Sequence, residues 1–394
     1  MGIKAGGVFS TFPPGRFLLY NQREMSPKRK FDKFFATVLA ILILVGFFLF
    51  VSASLSLLAK ESGAKFSSIF FSQFVFGLAF GLVFLIVFSK IHYRKYKKYA
   101  FYIFLAALVA SCLVFVPELG LFHGGARRWL SIAGVSFQPA EFLKFSFVIY
   151  FAAILASFKS KFYHWKFSIL PALIILSVIA VISYFQPDFG TLLIIGITAV
   201  AMIFVSGIRF KHLVITGLLM AVCLTPLAFS KEYSRERILN FFNNSESAQN
   251  DENYQIEQSL IAIGSGGLFG KGFGKSAQKF GVLPEPMGDS IFAVTAEEWG
   301  FIGASLLVLL FFLFTWRGLR IASRAPDLFG RLLAVGFVIL IASQSFINMG
   351  SMLHIFPIIG MPLLFISQGG TALLFALAEA GIILNVSKYQ GSGG

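Results

Sequence analysis

Long unbroken runs of apolar residues constrain the fold of this chain more than any other feature of its sequence. The first run, FFATVLAILILVGFFLFVSASLSLLA (34–59), is longer than the roughly 20 residues that a helix needs to cross a bilayer. Only 13% of the 394 residues are charged, about half the roughly 25% of a soluble domain. Because lipid offers the backbone no hydrogen-bonding partners, a spanning segment must satisfy its own polar groups. The sequence therefore predicts an all-α polytopic membrane protein.

About ten apolar runs follow one another, and they predict ten transmembrane helices. The fifth and sixth runs are separated by Gln186-Pro187-Asp188-Phe189-Gly190, whose proline, glycine and charge together are a strong turn signal. The predicted spans are 34–59, 66–89, 99–117, 139–158, 167–185, 190–207, 212–230, 290–316, 330–350 and 366–387.

The basic residues gather on one side of this arrangement. The segment 1–33 holds seven Lys or Arg against two acids, and the loops HYRKYKK (92–98) and WRGLRIASR (316–324) are also basic. The positive-inside rule places that side, and with it both termini, in the cytoplasm. It also accounts for the net charge of +15, so no nucleic-acid partner is expected. We expect a basic cytoplasmic tail (1–33), a transmembrane domain (34–388) and a disordered C-terminal end (389–394).

Two substantial loops fall on the opposite side. The first is 118–138. The second, 231–289, lies between the seventh and eighth predicted helices and carries six Lys or Arg and eight Asp or Glu. A loop of this length is usually functional, so we expect the large extracytoplasmic loop to contribute to the site.

Charges at the outer ends of the spans are expensive and therefore informative. Arg127-Arg128-Trp129 suits a phosphate or a lipid head group, and an interfacial anchor explains it equally well. Glu141 and Lys144 are three residues apart and share a helix face. They predict either a self-contained ion pair or a cation that meets an anionic lipid ligand.

Acidic residues also mark the starts of two later spans. Asp188 fits a turn or helix-cap role better than a chemical one. Asp289 lies where the long loop enters a helix, and an N-cap role is its structural alternative. Glu297 and Glu298 lie two turns further along an otherwise apolar helix. Together Asp289, Glu297 and Glu298 indicate a polar cavity that faces the outward basic residues.

Several motifs, in this order along the chain, resemble those of the SEDS family, the FtsW/RodA proteins. The resemblance covers roughly 34–388. The sequence YQIEQS (254–259) is more similar to FtsW, the division member of the family, than to RodA. The motifs are GARRW (125–129), SFQPAEFLK (136–144), QPDFGT (186–191), YQIEQSLIAIGSGGLFGKGFGKS (254–276), LPEPMGDSIFAVTAEEWGFIG (283–303) and FISQGG (365–370).

The resemblance implies an inverting peptidoglycan glycosyltransferase. Family members polymerise lipid II at the outer face of the bacterial cytoplasmic membrane. They act with a class B penicillin-binding protein, and the division member acts with other divisome proteins. The family's essential acid falls on Asp289, our expected general base. Arg128 and Lys144 are the expected ligands of the diphosphate. The remaining expected substrate-binding residues are Glu141, Glu285, Glu298, Ser367 and Gln368.

A divalent ion is a further expectation for this chemistry. Mg²⁺ or Mn²⁺ could share the diphosphate with Asp289, since Mg²⁺ commonly bridges phosphates and one or two carboxylates. The sequence has no dedicated metal motif.

Two other functions stay open, and departures from the family pattern bear on the second of them. Met287 and Gly288 stand where the family has His and Thr before the acid. Leu364 stands for a proline, and Gln368 for a tyrosine. A lipid II flippase would need a similar polar cavity, and a non-catalytic scaffold that recruits the penicillin-binding protein would not need the missing His and Thr.

Overall fold

A computed structural model describes most of the chain. The described residues are 30–60, 67, 69–123, 126–132, 135–158, 170–208, a few positions between 214 and 241, and 251–390. Most of the predicted tail 1–33, most of the predicted span 212–230, the first part of the large loop and residues 391–394 lie outside this set.

Ten α-helices and one π-helical stretch make up most of the described chain. The π-helical stretch Phe71–Ala79 runs directly into α2, and α7 lies within the large loop. The helices are α1 (Lys33–Lys60), α2 (Phe80–Lys90), α3 (Arg94–Leu113), α4 (Pro139–Ser157), α5 (Leu170–Phe185), α6 (Phe189–Val205), α7 (Asp251–Ser265), α8 (Ile291–Ser323), α9 (Leu328–Met352) and α10 (Gly370–Ser387).

Nine of the ten predicted spans coincide with helices in the described residues. Seven of these helical segments are long and apolar enough to cross a membrane, whereas α5 and α6 are apolar but shorter. The total of ten spans stays a prediction, because 212–230 is largely outside the described set. The basic sequence 92–98 was predicted as a loop, but α3 already begins at Arg94.

The all-α prediction is wrong at one place, the loop 118–138. Three strands, β1 (Gly120–His123), β2 (Ala126–Ile132) and β3 (Val135–Phe137), form an antiparallel sheet there in the order β1-β2-β3. Leu130 pairs with Gly120 on one side and with Phe137 on the other. A segment this short cannot span the membrane, and pairing satisfies the backbone groups that it would otherwise leave open.

Helix α10 forms the centre of the bundle, and every one of its residues is buried. A helix with apolar residues on every face, as here, is typical of such a position. The π-helical stretch and α2 lie against it but are mostly exposed outward, as expected for a helix that faces lipid.

Charged side chains hold the helix ends together at one end of the bundle, which we call the basic end. Arg317 of α8 pairs with Asp32 at 2.8 Å, and Arg94 pairs with Asp327 at 2.8 Å. Tyr93 donates its hydroxyl proton to Asp327. Burial, and then the Asp327 carboxylate, raise the pKa of Tyr93 above its ordinary range, so the phenol remains a donor. Tyr389, from the predicted C-terminal end, lies against the ring of His92.

The large loop is inserted into a break in α8. The helix is interrupted at Gly300, whose φ is 68°. The carbonyls of Glu297 and Glu298 accept hydrogen bonds from Lys271 N and Gly272 N at 3.0 and 2.9 Å instead of from the next helical turn. Beyond the break, Phe301 N and Ile302 N donate to the carbonyls of Gly267 and Leu268. The four bonds satisfy backbone groups that a broken helix in a membrane would leave unpaired.

Glycines make this insertion possible. A Cβ on Gly270 would overlap the Glu298 carbonyl, and a Cβ on Gly300 would overlap the backbone nitrogen of Gly270. Both residues also have positive φ, which side-chain-bearing residues rarely adopt. The loop segment 266–270 therefore packs closely against α8 through Gly266 and Gly270.

Candidate functional site

The turn that carries Asp289 precedes α8 at the end of the bundle opposite the basic end. Gly288 N and Ser290 N both donate to the carbonyl of Glu285, at 3.0 and 3.1 Å. Glu285 has a φ of 46°, a conformation that is uncommon for a residue other than glycine. Strained positions of this kind concentrate at functional sites. The N-cap residue of α8 is Ser290, so the N-cap alternative for Asp289 is wrong by one position.

Two amides on α9 hold the backbone beside Asp289. Asn348 donates to the carbonyls of Asp289 and Met361, at 3.0 and 2.8 Å. One helical turn earlier, Gln344 donates to the carbonyl of Pro362 at 3.0 Å. The acid-bearing turn and the segment before α10 are therefore fixed to the same face of α9.

Glu141 and Lys144 form the predicted ion pair, and it is not self-contained. The Lys144 ammonium lies 2.9 Å from a Glu141 oxygen and donates to Gln344 Oε1 at 2.6 Å. Both charged residues are buried. Because Gln344 and Asn348 are one turn apart on α9, this cation is connected through a single helix face to the backbone of Asp289.

Ser367 and Gln368 also reach the acid-bearing turn. Ser367 donates its hydroxyl proton to the Gly288 carbonyl at 2.7 Å, and Gln368 N donates to the Met287 carbonyl at 2.7 Å. The predicted polar lining at the start of the last span thus lies directly against the segment 287–289.

A narrow cleft opens beside Asp289. Its lining includes Asp289, Asn348, Ile358 and Met361. The cavity measures about 10 Å³, which is close to the space that one water molecule needs. A sugar ring therefore requires this cleft to widen.

Arg128 lies on β2 and binds a different part of the chain. Its Nε donates to the Gln186 carbonyl at 3.0 Å, and its Nη2 donates to the Pro187 carbonyl. These contacts fix the small sheet to the turn between α5 and α6. Asp188 in that turn is the N-cap of α6 and accepts from Thr191 N and Thr191 Oγ1, so its predicted cap role is confirmed.

Glu298 is placed apart from the acid-bearing turn. Its carboxylate accepts from Lys279 Nζ at 2.6 Å and from the Ser52 hydroxyl, and it is 1% exposed. The expectation of a polar cavity lined by Glu298 is corrected accordingly, because the partners of Glu298 come from the large loop and α1 and not from the acid-bearing turn.

Glu297 is held in the same way by the inserted loop. It pairs with Lys271 at 2.7 Å and accepts from the backbone nitrogens of Ala277 and Gln278. Both acids of this helix therefore fasten the loop to α8. Glu285, by contrast, is exposed next to Asp289.

Gln344 and Asn348 were not among the residues predicted from the sequence. A signal was available, since both are polar, four residues apart and inside an apolar span, where such residues are costly unless they have a partner. In the part of the chain that the structure describes, no group of three or more His, Cys, Asp or Glu side chains is placed to hold a metal ion. An ion that bridges one carboxylate and a diphosphate would not need such a group.

Comparisons with known sequences identify related proteins over nearly the whole chain. The FtsW, RodA and SpoVE family model, described as "Cell cycle protein", matches residues 32–392. Stage V sporulation protein E of Bacillus subtilis (strain 168) is 36% identical over 363 residues, which are 91% of this chain and 97% of that protein. A probable peptidoglycan glycosyltransferase FtsW of Geobacter sulfurreducens is 37% identical over 77% of this chain and 81% of that protein.

Solved structures with the same fold are also similar to the chain. One, described as "Structural coordination of polymerization and crosslinking by a peptidoglycan synthase complex", has a TM-score of 0.73 and 26% identity, covering 92% of this chain and 99% of the other. Rod shape determining protein RodA of Thermus thermophilus has a TM-score of 0.66 and 26% identity, covering 93% and 100%.

Proposed function

The chain belongs to the FtsW, RodA and SpoVE family of multi-pass membrane proteins, and from that premise we propose that it is a peptidoglycan glycosyltransferase. Its substrate would be lipid II, a disaccharide-pentapeptide on undecaprenyl diphosphate, polymerised at the outer face of the bacterial cytoplasmic membrane. The similarity to relatives named as probable peptidoglycan glycosyltransferases supports this proposal.

The position of Asp289 is the observation that most strongly supports the proposal. This residue lies at a cleft, and its backbone is held both by α9 and by the segment before α10. Asn348 holds the Asp289 carbonyl, and Ser367 and Gln368 hold the two residues before it. Preorganisation of this kind is what a reacting group needs, because small displacements cost large factors in rate.

The reaction would be an attack by a sugar 4-hydroxyl on the anomeric carbon of a diphosphate-linked sugar, with inversion. Asp289 would accept the hydroxyl proton as the C–O bond forms, while the bond to the diphosphate breaks. Lys144 would then stabilise the negative charge on the departing diphosphate. Arg128 is a second candidate for that role, and Glu285 would line the entrance beside the acid. A divalent ion, when bound, would supply further neutralisation of the diphosphate.

Partner and location follow from the same premise. The structural neighbour described as a synthase complex couples polymerisation with crosslinking, so we propose a class B penicillin-binding protein as the partner here. The basic end would face the cytoplasm, because basic loops are retained there. We favour a division role, since the FtsW relatives are similar over most of their length.

Polymerisation from labelled lipid II in proteoliposomes, with and without the class B partner, tests the function. Glycan chains that form in proteoliposomes containing this protein, and not in protein-free liposomes, would support the proposed function. Transfer of lipid II across the bilayer without any glycan product would support a flippase instead.

Lys144→Met is expected to impair both folding and substrate binding. Removal of the ammonium leaves Glu141 buried without its cation, which costs about 3–5 kcal/mol, and it removes a charged hydrogen bond worth about 1.5–3 kcal/mol to the bound diphosphate. We expect a lower unfolding temperature in detergent and a KM for lipid II raised about tenfold or more.

The double variant Glu141→Gln/Lys144→Met separates these two effects. It removes both charges, so most of the stability should return while KM stays high. If the double variant recovered a normal KM as well, Lys144 would have only a structural role.

A further inference from the structure

One polar residue stands out in the helix segment that precedes α2. In the π-helical stretch Phe71–Ala79, the buried residues are Gln73 and Gly77, and Gln73 is 4% exposed. A buried amide is costly unless it is hydrogen-bonded. π-Helical segments are rare and frequently occur at functional sites. The partners of Gln73 therefore indicate what the residue does.

Both ends of the Gln73 amide bind backbone atoms around a single residue, Gln368. Gln73 Nε2 donates to the Ser367 carbonyl at 3.1 Å, and Gln73 Oε1 accepts from Gly369 N at 2.9 Å. The side chain thus fixes the chain immediately before and after Gln368.

The opposite side of this segment contacts the acid-bearing turn. Ser367 Oγ and Gln368 N bind the carbonyls of Gly288 and Met287, each at 2.7 Å. The segment 367–369 therefore lies between Gln73 and the turn of Asp289 and is hydrogen-bonded to both.

Close packing makes the Gln73 side of the layer rigid. A Cβ on Gly77 would lie 2.9 Å from the Cα of Gly370, so the π-helical stretch and the start of α10 are in direct backbone contact. The start of α10 therefore cannot approach the π-helical stretch more closely, and the two Gln73 hydrogen bonds restrain the adjoining segment 367–369.

We propose that Gln73 is a positioning residue for the acid-bearing turn, an inference that rests on the proposed glycosyltransferase function. Its role would be exerted through the segment 367–369 and not by contact with the substrate. Gln73 holds 367–369 in the register that fixes Met287 and Gly288, and through them the Asp289 carboxylate relative to the acceptor hydroxyl. Its loss should slow the chemical step and leave lipid II binding nearly unchanged, because Lys144 is held by other residues.

Asn385 offers a matched control at the basic end of α10. It is also a buried amide that makes one bond of each kind with the backbone: Oδ1 accepts from Tyr93 N at 2.9 Å, and Nδ2 donates to the Ser89 carbonyl at 2.7 Å. Replacement of either amide with leucine removes two comparable hydrogen bonds. Only Gln73 is connected to the turn of Asp289.

The experiment compares Gln73→Leu with Asn385→Leu in proteoliposomes that contain the class B partner and labelled lipid II. Both variants should unfold at similarly lowered temperatures. Gln73→Leu should lower kcat about ten- to hundredfold, as expected for a reacting group displaced by about 1 Å, with KM little changed. Asn385→Leu should keep its kcat. The carboxyl group in Gln73→Glu, protonated at this buried position, can accept from Gly369 N and donate to the Ser367 carbonyl, so this variant should recover part of the lost rate.

Two results would overturn the inference: a wild-type kcat in Gln73→Leu, or an equal loss of kcat in both leucine variants. An Asp289→Asn sample in the same series separates this failure from that of the proposed function. If the wild type polymerises, Asp289→Asn does not and Gln73→Leu behaves as wild type, only the role of Gln73 is refuted. If the wild type makes no glycan, both the proposed function and this inference are refuted.

Discussion

Asp289→Asn is expected to abolish glycan polymerisation and to leave the protein folded. Asparagine has nearly the shape of aspartate but cannot accept the proton of the acceptor hydroxyl. General-base assistance is typically worth about 10²–10⁴-fold in rate. The fold should survive because Asn348 holds residue 289 through its backbone carbonyl, which the substitution does not alter. Glycan length and yield from labelled lipid II measure the effect.

Asp327→Asn provides the matched control for this substitution. Asp327 is also an acid before a helix, where it accepts from Gly330 N at the start of α9, but it lies at the basic end. Asparagine is about as good an N-cap as aspartate, and the ion pair with Arg94 that it removes is partly exposed, so Asp327→Asn should polymerise normally. Wild-type glycan from Asp289→Asn would refute the assignment of Asp289 as the base.

Much of the helical architecture could be predicted because membrane spans depend on length and apolarity alone. Three local features could also be predicted: the start of α4 at Pro139, the cap at Asp188 and the ion pair between Glu141 and Lys144. Each of these depends on residues within one turn of each other, where the geometry of a helix fixes which side chains meet.

The contacts that define the site could not be predicted from the sequence, because they join residues that are far apart along the chain. Gln344 reaches Lys144 across 200 positions, and Gln73 reaches Ser367 across 294. Long-range pairings of this kind depend on how the helices pack, which hydropathy does not encode. The break at Gly300 was missed for a related reason: a glycine in an apolar span is common, and the loop that completes the helix lies thirty residues earlier.

For Glu298, the general expectation that a charge inside a span has a specific role is correct, but its assignment to a polar cavity is wrong. A charge inside a span is a functional hypothesis by default, and the acids at 297 and 298 were therefore assigned to a cavity. The structure instead pairs them with Lys271 and Lys279 of the inserted loop. These lysines are close in sequence to one another but not to the acids, so periodicity could not assign the pairs.

The pair between Lys279 and Glu298 is expected to be the strongest single fastening of the large loop. Lys279 Nζ lies 2.6 Å from Glu298 Oε1 and 3.0 Å from the Ser52 carbonyl, so one ammonium joins the loop, α8 and α1. Both side chains are at most 1% exposed. Lys279→Met would leave the carboxylate buried without a cation, which should destabilise the protein by about 3–5 kcal/mol. Thermal unfolding in detergent measures this loss.

Lys271→Met tests whether burial, and not charge alone, determines the size of that effect. The Lys271 side chain is 37% exposed, and Glu297 keeps its bonds from Ala277 N and Gln278 N without it. Only the lysine end of this pair is exposed, and the buried Glu297 carboxylate keeps three hydrogen bonds, from Ser276 Oγ, Ala277 N and Gln278 N, so this variant should lose clearly less stability than Lys279→Met. Equal destabilisation by the two substitutions would contradict the argument.

A double-mutant cycle at 279 and 298 completes the test. Glu298→Gln/Lys279→Met removes both buried charges, and replacing a whole buried pair is often nearly neutral. Ser52 can still donate its hydroxyl to the glutamine carbonyl oxygen in this variant. The double variant should therefore recover most of the stability lost in Lys279→Met. If it were as unstable as the single variant, the loss would come from the packing of the lysine stem, and the inserted loop would be held chiefly by its backbone bonds across the break at Gly300.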